Sequence, residues 1–147
     1  MFSDQSRSPA APFRQPIDLR RLPWSTPLAR DYCHTYDKLG SFYRGSPVTP
    51  SQWHDTIEAR RASPVNTKAL VGILNTQLRA RGAPAEALAA VERLGQTDAV
   101  AVVTGQQAGL FGGPLFTLFK AVTAIALAQR VEVEHSIKTV PIFWIDA

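Results

Sequence analysis

Between Gly105 and Lys120 the chain reads GQQAGLFGGPLFTLFK, and here residue types and spacing could do chemistry. Gly105, Gly109, Gly112 and Gly113 place no Cβ between backbone and ligand, so amide hydrogens there can approach a ligand closely. Pro114 suits the first position of a helix, where a missing amide hydrogen costs nothing. The free amides that follow, with the positive end of the helix dipole, favour an anion such as a phosphate or carboxylate. Thr117, one turn in, could add a hydroxyl on the same side, and Lys120 a cation if its stem extends back toward the helix start. Gln106 and Gln107 donate and accept at once, which suits an amide, a hydroxyl or a nucleobase edge, and neither can act as general acid or base. The competing reading is a tight loop that packs its glycines against a sheet.

The flanking segments say how such a loop would be held. Ala99 to Thr104, AVAVVT, is short, apolar and β-branched, as expected of a strand covered on both faces. Leu115, Leu118, Phe119, Val122, Ile125 and Ala126 share one stripe of a helix that starts near Pro114 and runs to about Glu132. Thr139 to Ile145, TVPIFWI, reads as a second strand, although Pro141 inside it cannot donate to a ladder. Strand, glycine-rich loop, helix and strand make the opening unit of a doubly wound parallel sheet. In such sheets ligands bind outside the carboxyl ends of the strands, where Gly105 to Gly113 lies. Neither familiar phosphate-loop pattern fits. Gly113-Pro114-Leu115 stands where a Gly-Lys-Ser/Thr would be needed, and the glycines offer no G-x-G-x-x-G spacing.

Upstream, Pro9, Pro12, Pro16 and Pro23 predict an extended arm over residues 1–25, whose Phe13, Ile17, Leu19, Leu22 and Trp24 pack on something larger. Thr26 and Pro27 open a helix that Gly40 ends. Thr49 to Gln52 reads as a capping box for a helix reaching Arg61, broken by Ser63 and Pro64. Asn66 or Thr67 caps the next helix, Gly82 closes it, and Ala85 to Leu94 forms another before Gly95. The domain organisation is therefore an arm (1–25), a helical segment (26–95) and an incomplete β-α-β core (96–147).

The composition admits a globular domain, with 147 residues and 45% hydrophobic content. The net charge of +4 comes from 16 basic and 12 acidic residues that are interspersed, which argues against a nucleic-acid surface. Cys33 is the single cysteine, so there is no intrachain disulfide and no cysteine-built metal site. No apolar leader segment and no run long enough to span a bilayer are legible, and the expectation is a cytoplasmic protein without a membrane partner.

The string Val103-Thr104-Gly105-Gln106-Gln107-Ala108-Gly109-Leu110-Phe111, with Gly113-Pro114-Leu115-Phe116-Thr117, Lys120-Ala121 and then Val140-Pro141-Ile142-Phe143-Trp144-Ile145, resembles the bacillithiol biosynthesis cysteine-adding enzymes, the BshC family. The resemblance implies a Rossmann-like α/β core related to class I synthetases and nucleotidylyltransferases, with GPLFT in the place of their histidine-rich signature. It implies a ligase that joins L-cysteine to glucosaminyl malate through an amide bond, with ATP or another nucleotide as cosubstrate. It also implies binding roles for Thr104, Gly105, Gln106, Gln107, Gly109, Gly113, Thr117 and Lys120, with Trp144 and Asp146 facing the same crevice from the second strand. No catalytic acid or base and no metal ligand is assigned. The family's chain is several times longer, so this one is expected to be a truncated N-terminal part, inactive alone, with apolar surface left for a separate remainder or a second copy to cover. The alternative is a non-catalytic nucleotide-binding, anion-binding or interaction module completed by another chain.

Overall fold

The computed structural model describes residues 15–63 and 65–146. Expectations for Pro9, Pro12, Phe13 and Pro64 lie outside the described residues. The chain divides into two compact units, Met1–Ser46 and Pro47–Ala147.

In the first unit a single turn, Leu19–Arg21, is held by Asp18, whose carboxylate accepts the Arg20 amide at 2.9 Å and its guanidinium at 2.8 Å. Helix α1 spans Pro27–His34; Thr26 Oγ1 accepts the Ala29 amide at 3.2 Å and Pro27 takes the first helical position, as the sequence suggests. The helix does not continue to Leu39. Thr35 leaves it at φ −144°, donating its hydroxyl to Asp31 at 2.6 Å, and a separate 3₁₀ turn, Tyr36–Leu39, follows. The rings of Tyr32, Tyr36 and Tyr43 then cluster with centroids 5.4–5.8 Å apart. Ile17 and Trp24, expected to pack, are exposed.

In the second unit α2 spans Pro50–Arg61, with Thr49 at its cap making no side-chain bond to the helix amides; Pro50, not a capping box, sets its start. Helix α3, Thr67–Ala80, is capped by Asn66, which accepts the Ala69 amide at 3.0 Å. It closes on Gly82 at φ +64°, with Gly82 N–H to Arg79 O and Ala83 N–H to Leu78 O, the paired bonds of a Schellman end. Helix α4, Ala85–Leu94, follows as expected. The last third is β1 (Val100–Gln107), α5 (Leu115–His135) and β2 (Thr139–Asp146), with both strands and the helix longer than the apolar runs suggest.

The two strands pair in parallel from Val100↔Thr139 to Gln107↔Asp146. Bonds at the two ends, Val100 N–H to Lys138 O and Ala108 N–H to Asp146 O, set the phase of the ladder. Even-numbered residues of both strands bond across the pair, and odd-numbered ones direct N–H and C=O to the outer edges. Pro141 is odd-numbered, so its missing donor falls on the outer edge and costs the β1–β2 ladder nothing.

The core lies at the amino ends of the strands. Ile57 of α2, Val131 of α5 and Ile137 are buried together, with Trp53, Val100 and Leu127 against them. Trp53 is fixed by its indole N–H, which donates to Pro47 O at 2.8 Å. Helix α5 meets the strands through small residues, with Ala124, Ala128 and Val131 buried, and α4 packs on β2, where Val91, Leu94 and Val140 are buried. The stripe legible in the sequence faces outward instead: Leu115, Leu118, Phe119, Val122 and Ile125 are all exposed. Ala128→Leu is therefore expected to cost about 1–3 kcal/mol in urea unfolding, because it forces extra volume between α5 and the strands. Val122→Ser should change stability by less than about 0.5 kcal/mol. The reverse ranking would mean that the sequence-based stripe is the packed face.

Candidate functional site

The carboxyl ends of the strands and the start of α5 form the open end of this unit. β1 does not stop at Thr104: Gly105, Gln106 and Gln107 are strand residues paired with Trp144, Ile145 and Asp146. Gly105 is thus not a loop glycine. A Cβ there would stand 2.4 Å from the Trp144 indole, which lies over it, so glycine at 105 admits Trp144 rather than a ligand.

The turn proper runs from Ala108 to Pro114 and holds a short 3₁₀ segment, Leu110–Gly112. Phe111, Gly112 and Gly113 all have positive φ, at 53°, 84° and 82°. At Gly112 and Gly113 this is inexpensive; at Phe111, a bulky residue whose ring is fully exposed, it is a strained backbone held by its neighbours. Gly109 is extended, and a Cβ on it would lie 3.0 Å from the Gly113 Cα, so the two limbs of the turn touch backbone to backbone.

Pro114 is the N-cap of α5 (φ −68°, ψ 159°) and not its first helical residue. Its carbonyl accepts the Thr117 amide at 2.8 Å, while the amides of Leu115 and Phe116 have no partner among the described residues. Thr117 Oγ1 is buried without a hydrogen-bond partner and lies 3.1 Å from where a Gly113 Cβ would be. An unpartnered buried hydroxyl is costly, and a ligand accepting or donating one hydrogen bond would remove that cost. Around it is a cleft of about 450 Å³ lined by the turn, by Leu115 and Leu118, and by Phe143 of β2. Apart from Thr117 and the backbone, these walls are apolar.

Lys120 does not reach the turn. Its Nζ crosses to the end of β1 and donates to Gly105 O at 2.8 Å and to Gln106 Oε1 at 2.9 Å, 5.6 Å from the Phe116 ring centroid. Two of its three donors are thereby used, and Gln106, with its oxygen occupied, presents its amide nitrogen as a donor. Phe116 and Phe143 had no place among the sequence-based candidates; both belong to apolar runs that look like core.

Strand alternation divides the candidates. Gln106 and Thr104 lie on the α5 side with Thr117 and Lys120, whereas Gln107, Trp144 and Asp146 lie on the other face. The expectation that Trp144 and Asp146 face the same crevice as Gln106 is thus not met, because a strand shows successive residues to opposite faces. Asp146 contributes to the ladder through its backbone, accepting the Ala108 amide at 2.9 Å.

A parallel strand pair joined by a right-sized crossover helix, with a glycine turn at its carboxyl end, makes this a Rossmann-like α/β unit. The model of the bacillithiol biosynthesis BshC N-terminal Rossmann-like domain matches residues 15–147, and the chain belongs to the BshC family. A protein of Koribacter versatilis named "Putative cysteine ligase BshC" is 37% identical over 130 residues, 87% of this chain and 24% of its own. One of the same name from Salinibacter ruber is 33% identical over 116 residues, 79% of this chain and 21% of its own. A third, from Heliobacterium modesticaldum, is 55% identical over 53 residues, 36% of this chain and 10% of its own. The chain therefore spans about a quarter or less of the length of the curated relatives it matches.

Gly105→Ala is expected to push the Trp144 indole off the sheet, changing its fluorescence and costing about 1–3 kcal/mol. Because the two residues touch, Gly105→Ala should cost at least about 0.5 kcal/mol less in a Trp144→Ala background, and strict additivity would show that the indole does not rest on Gly105.

Proposed function

We propose that this segment serves a ligase that joins the carboxyl of L-cysteine to the amine of glucosaminyl malate, forming the amide of bacillithiol in the cytoplasm. Family membership supports the reaction class, and the observation that carries the site is the buried, unpartnered Thr117 hydroxyl beside the free amides of Leu115 and Phe116. A phosphate or carboxylate oxygen meeting those donors would satisfy all three with the helix dipole behind them. Activating a carboxylate requires a leaving group that a nucleotide such as ATP supplies. In this reading Gln106 offers its amide N–H₂ to substrate, Lys120 holds Gln106, and Gly109 and Gly113 let the turn close tightly. Gln107, Trp144 and Asp146 would serve a second surface on the opposite face.

The 147-residue chain contributes one side of that site, and turnover needs the rest of a family-length polypeptide or another chain that replaces it. Thr104, Gln106, Thr117 and Lys120 include no carboxylate or imidazole, which favours as a second reading a module that binds nucleotide without turning it over. The test supplies ATP, L-cysteine and glucosaminyl malate to a family-length protein carrying this segment, and follows bacillithiol by mass and nucleotide products by chromatography. Product should form only with all three substrates, and Gln106→Ala should lower kcat/KM at least about 10-fold, the size of one lost hydrogen bond of about 1.4 kcal/mol. Thermal stabilisation by ATP without product would favour the binding module; neither stabilisation nor product would contradict both.

A further inference from the structure

We infer that Lys120 is a positioning residue that fixes the polarity of the site. By holding the Gln106 side chain with its nitrogen outward, it makes the end of β1 select a ligand oxygen, of a carboxylate or a phosphate, and reject an amine. The ammonium donates to two oxygens of β1, Gly105 O at 2.8 Å and Gln106 Oε1 at 2.9 Å, and the Phe116 ring centroid, one turn earlier on α5, lies 5.6 Å away. Since the Gly105 bond is to the backbone, the cation stays anchored whichever way Gln106 turns. An ammonium has three donors and no acceptor. Only the oxygen of the Gln106 amide can therefore face it, and the nitrogen is turned to the other side, where it donates to no group among the described residues.

The consequence is a surface that donates. Gln106 offers its N–H₂, and the amides of Leu115 and Phe116 are free at the start of α5. Thr104 and Thr117 on the same side carry hydroxyls that donate or accept as a ligand requires, and no carboxylate stands among these residues. A carboxylate or phosphate oxygen finds hydrogens to accept here. An amine would be set against N–H groups, losing its own hydrogen bonds and leaving theirs unpaired. Gln106 Oε1 keeps a second lone pair, but a donor reaching it must come up beside the Lys120 charge, which repels an ammonium. Without Lys120 the amide is free to turn about its last torsion and present either group, so the preference is lost although Gln106 remains. This deepens the ligase reading and rests on it: the surface receives the carboxyl to be activated, or a nucleotide phosphate, and turns amines away.

Calorimetric titration of a family-length protein carrying this segment tests it with probes that need no turnover: β-mercaptopropionate, cysteamine, which has an amine in place of the carboxylate, and inorganic pyrophosphate. One of the two anions should bind at least about 10-fold more tightly than cysteamine, and the one that does identifies the source as carboxylate or phosphate. Lys120→Met should reduce that ratio at least about fivefold, and Lys120→Arg, which keeps a cation with donors only, should restore most of it. In a Gln106→Ala background Lys120→Met should change the ratio by less than about twofold, because Lys120 acts through Gln106; the full effect persisting there would show plain charge attraction and overturn the inference. Gln106→Glu keeps the bond to Lys120 but sets a carboxylate oxygen where the nitrogen was, so it should weaken the anion at least about 10-fold more than Gln106→Ala does. Should Lys120→Met fail to fold, that comparison decides, and Gln106→Glu binding the anion as well as the unsubstituted protein would overturn the inference. So would equal binding of cysteamine and the anions, or binding of neither. Selective binding without bacillithiol formation would sink the ligase reading and leave this inference standing, and bacillithiol formation without anion preference would do the reverse.

Discussion

The in-register parallel pairing of β1 with β2 is the constraint from which the other features of the second unit follow. It sets Gly105 opposite Trp144 and Gln106 opposite Ile145, and through strand alternation it decides which candidate side chains can meet. A slip of one residue would move Trp144 off its glycine and carry Gln106 away from Lys120. The phase also turns the deficient edge of Pro141 outward, so a residue unfavourable to a central ladder is accommodated without loss inside the pair.

Parallel pairs need a crossover and a cover, and α5 supplies both. It approaches through alanines at 124 and 128, which let the helix axis come close to the strands, and it leaves its larger residues on the opposite side. The unit is consequently uneven. At the amino ends Ile57, Val131, Ile137 and Val140 are buried, whereas at the carboxyl ends the turn, the start of α5 and the last residues of β2 are exposed. Two-stranded sheets are marginal by themselves, so the packed end carries the stability and the open end carries the unsatisfied groups. The positive φ of Phe111, the unpartnered hydroxyl of Thr117 and the free amides at the helix start all gather at that open end.

Much of this was legible in the sequence. AVAVVT and TVPIFWI announce strands, although Val103, Trp144 and Ile145 stay exposed, and the cap residues Thr26 and Asn66 and the closing Gly82 act as their types suggest. The misjudged features depend on contacts distant in sequence. Glycine and glutamine favour loops locally, and only pairing with β2 keeps Gly105 to Gln107 extended. Helix α5 is apolar around much of its circumference, so periodicity could not say which face meets the sheet; the small residues decide it by allowing close approach. The sequence grouped Trp144 and Asp146 with Gln106 because it showed them near one strand end, but not the phase that sends them to opposite faces. Lys120 was legible as a cation near the turn, while its role in holding Gly105 and Gln106 required the register.

The most direct test of that register is the proton NMR spectrum of Gly105. With the Trp144 indole lying over it, the Gly105 Hα protons should be shifted strongly upfield by the ring current and should show NOEs to the indole. Ordinary Gly105 Hα shifts, or indole NOEs to Thr104 or Gln106 in their place, would contradict the pairing on which the account rests.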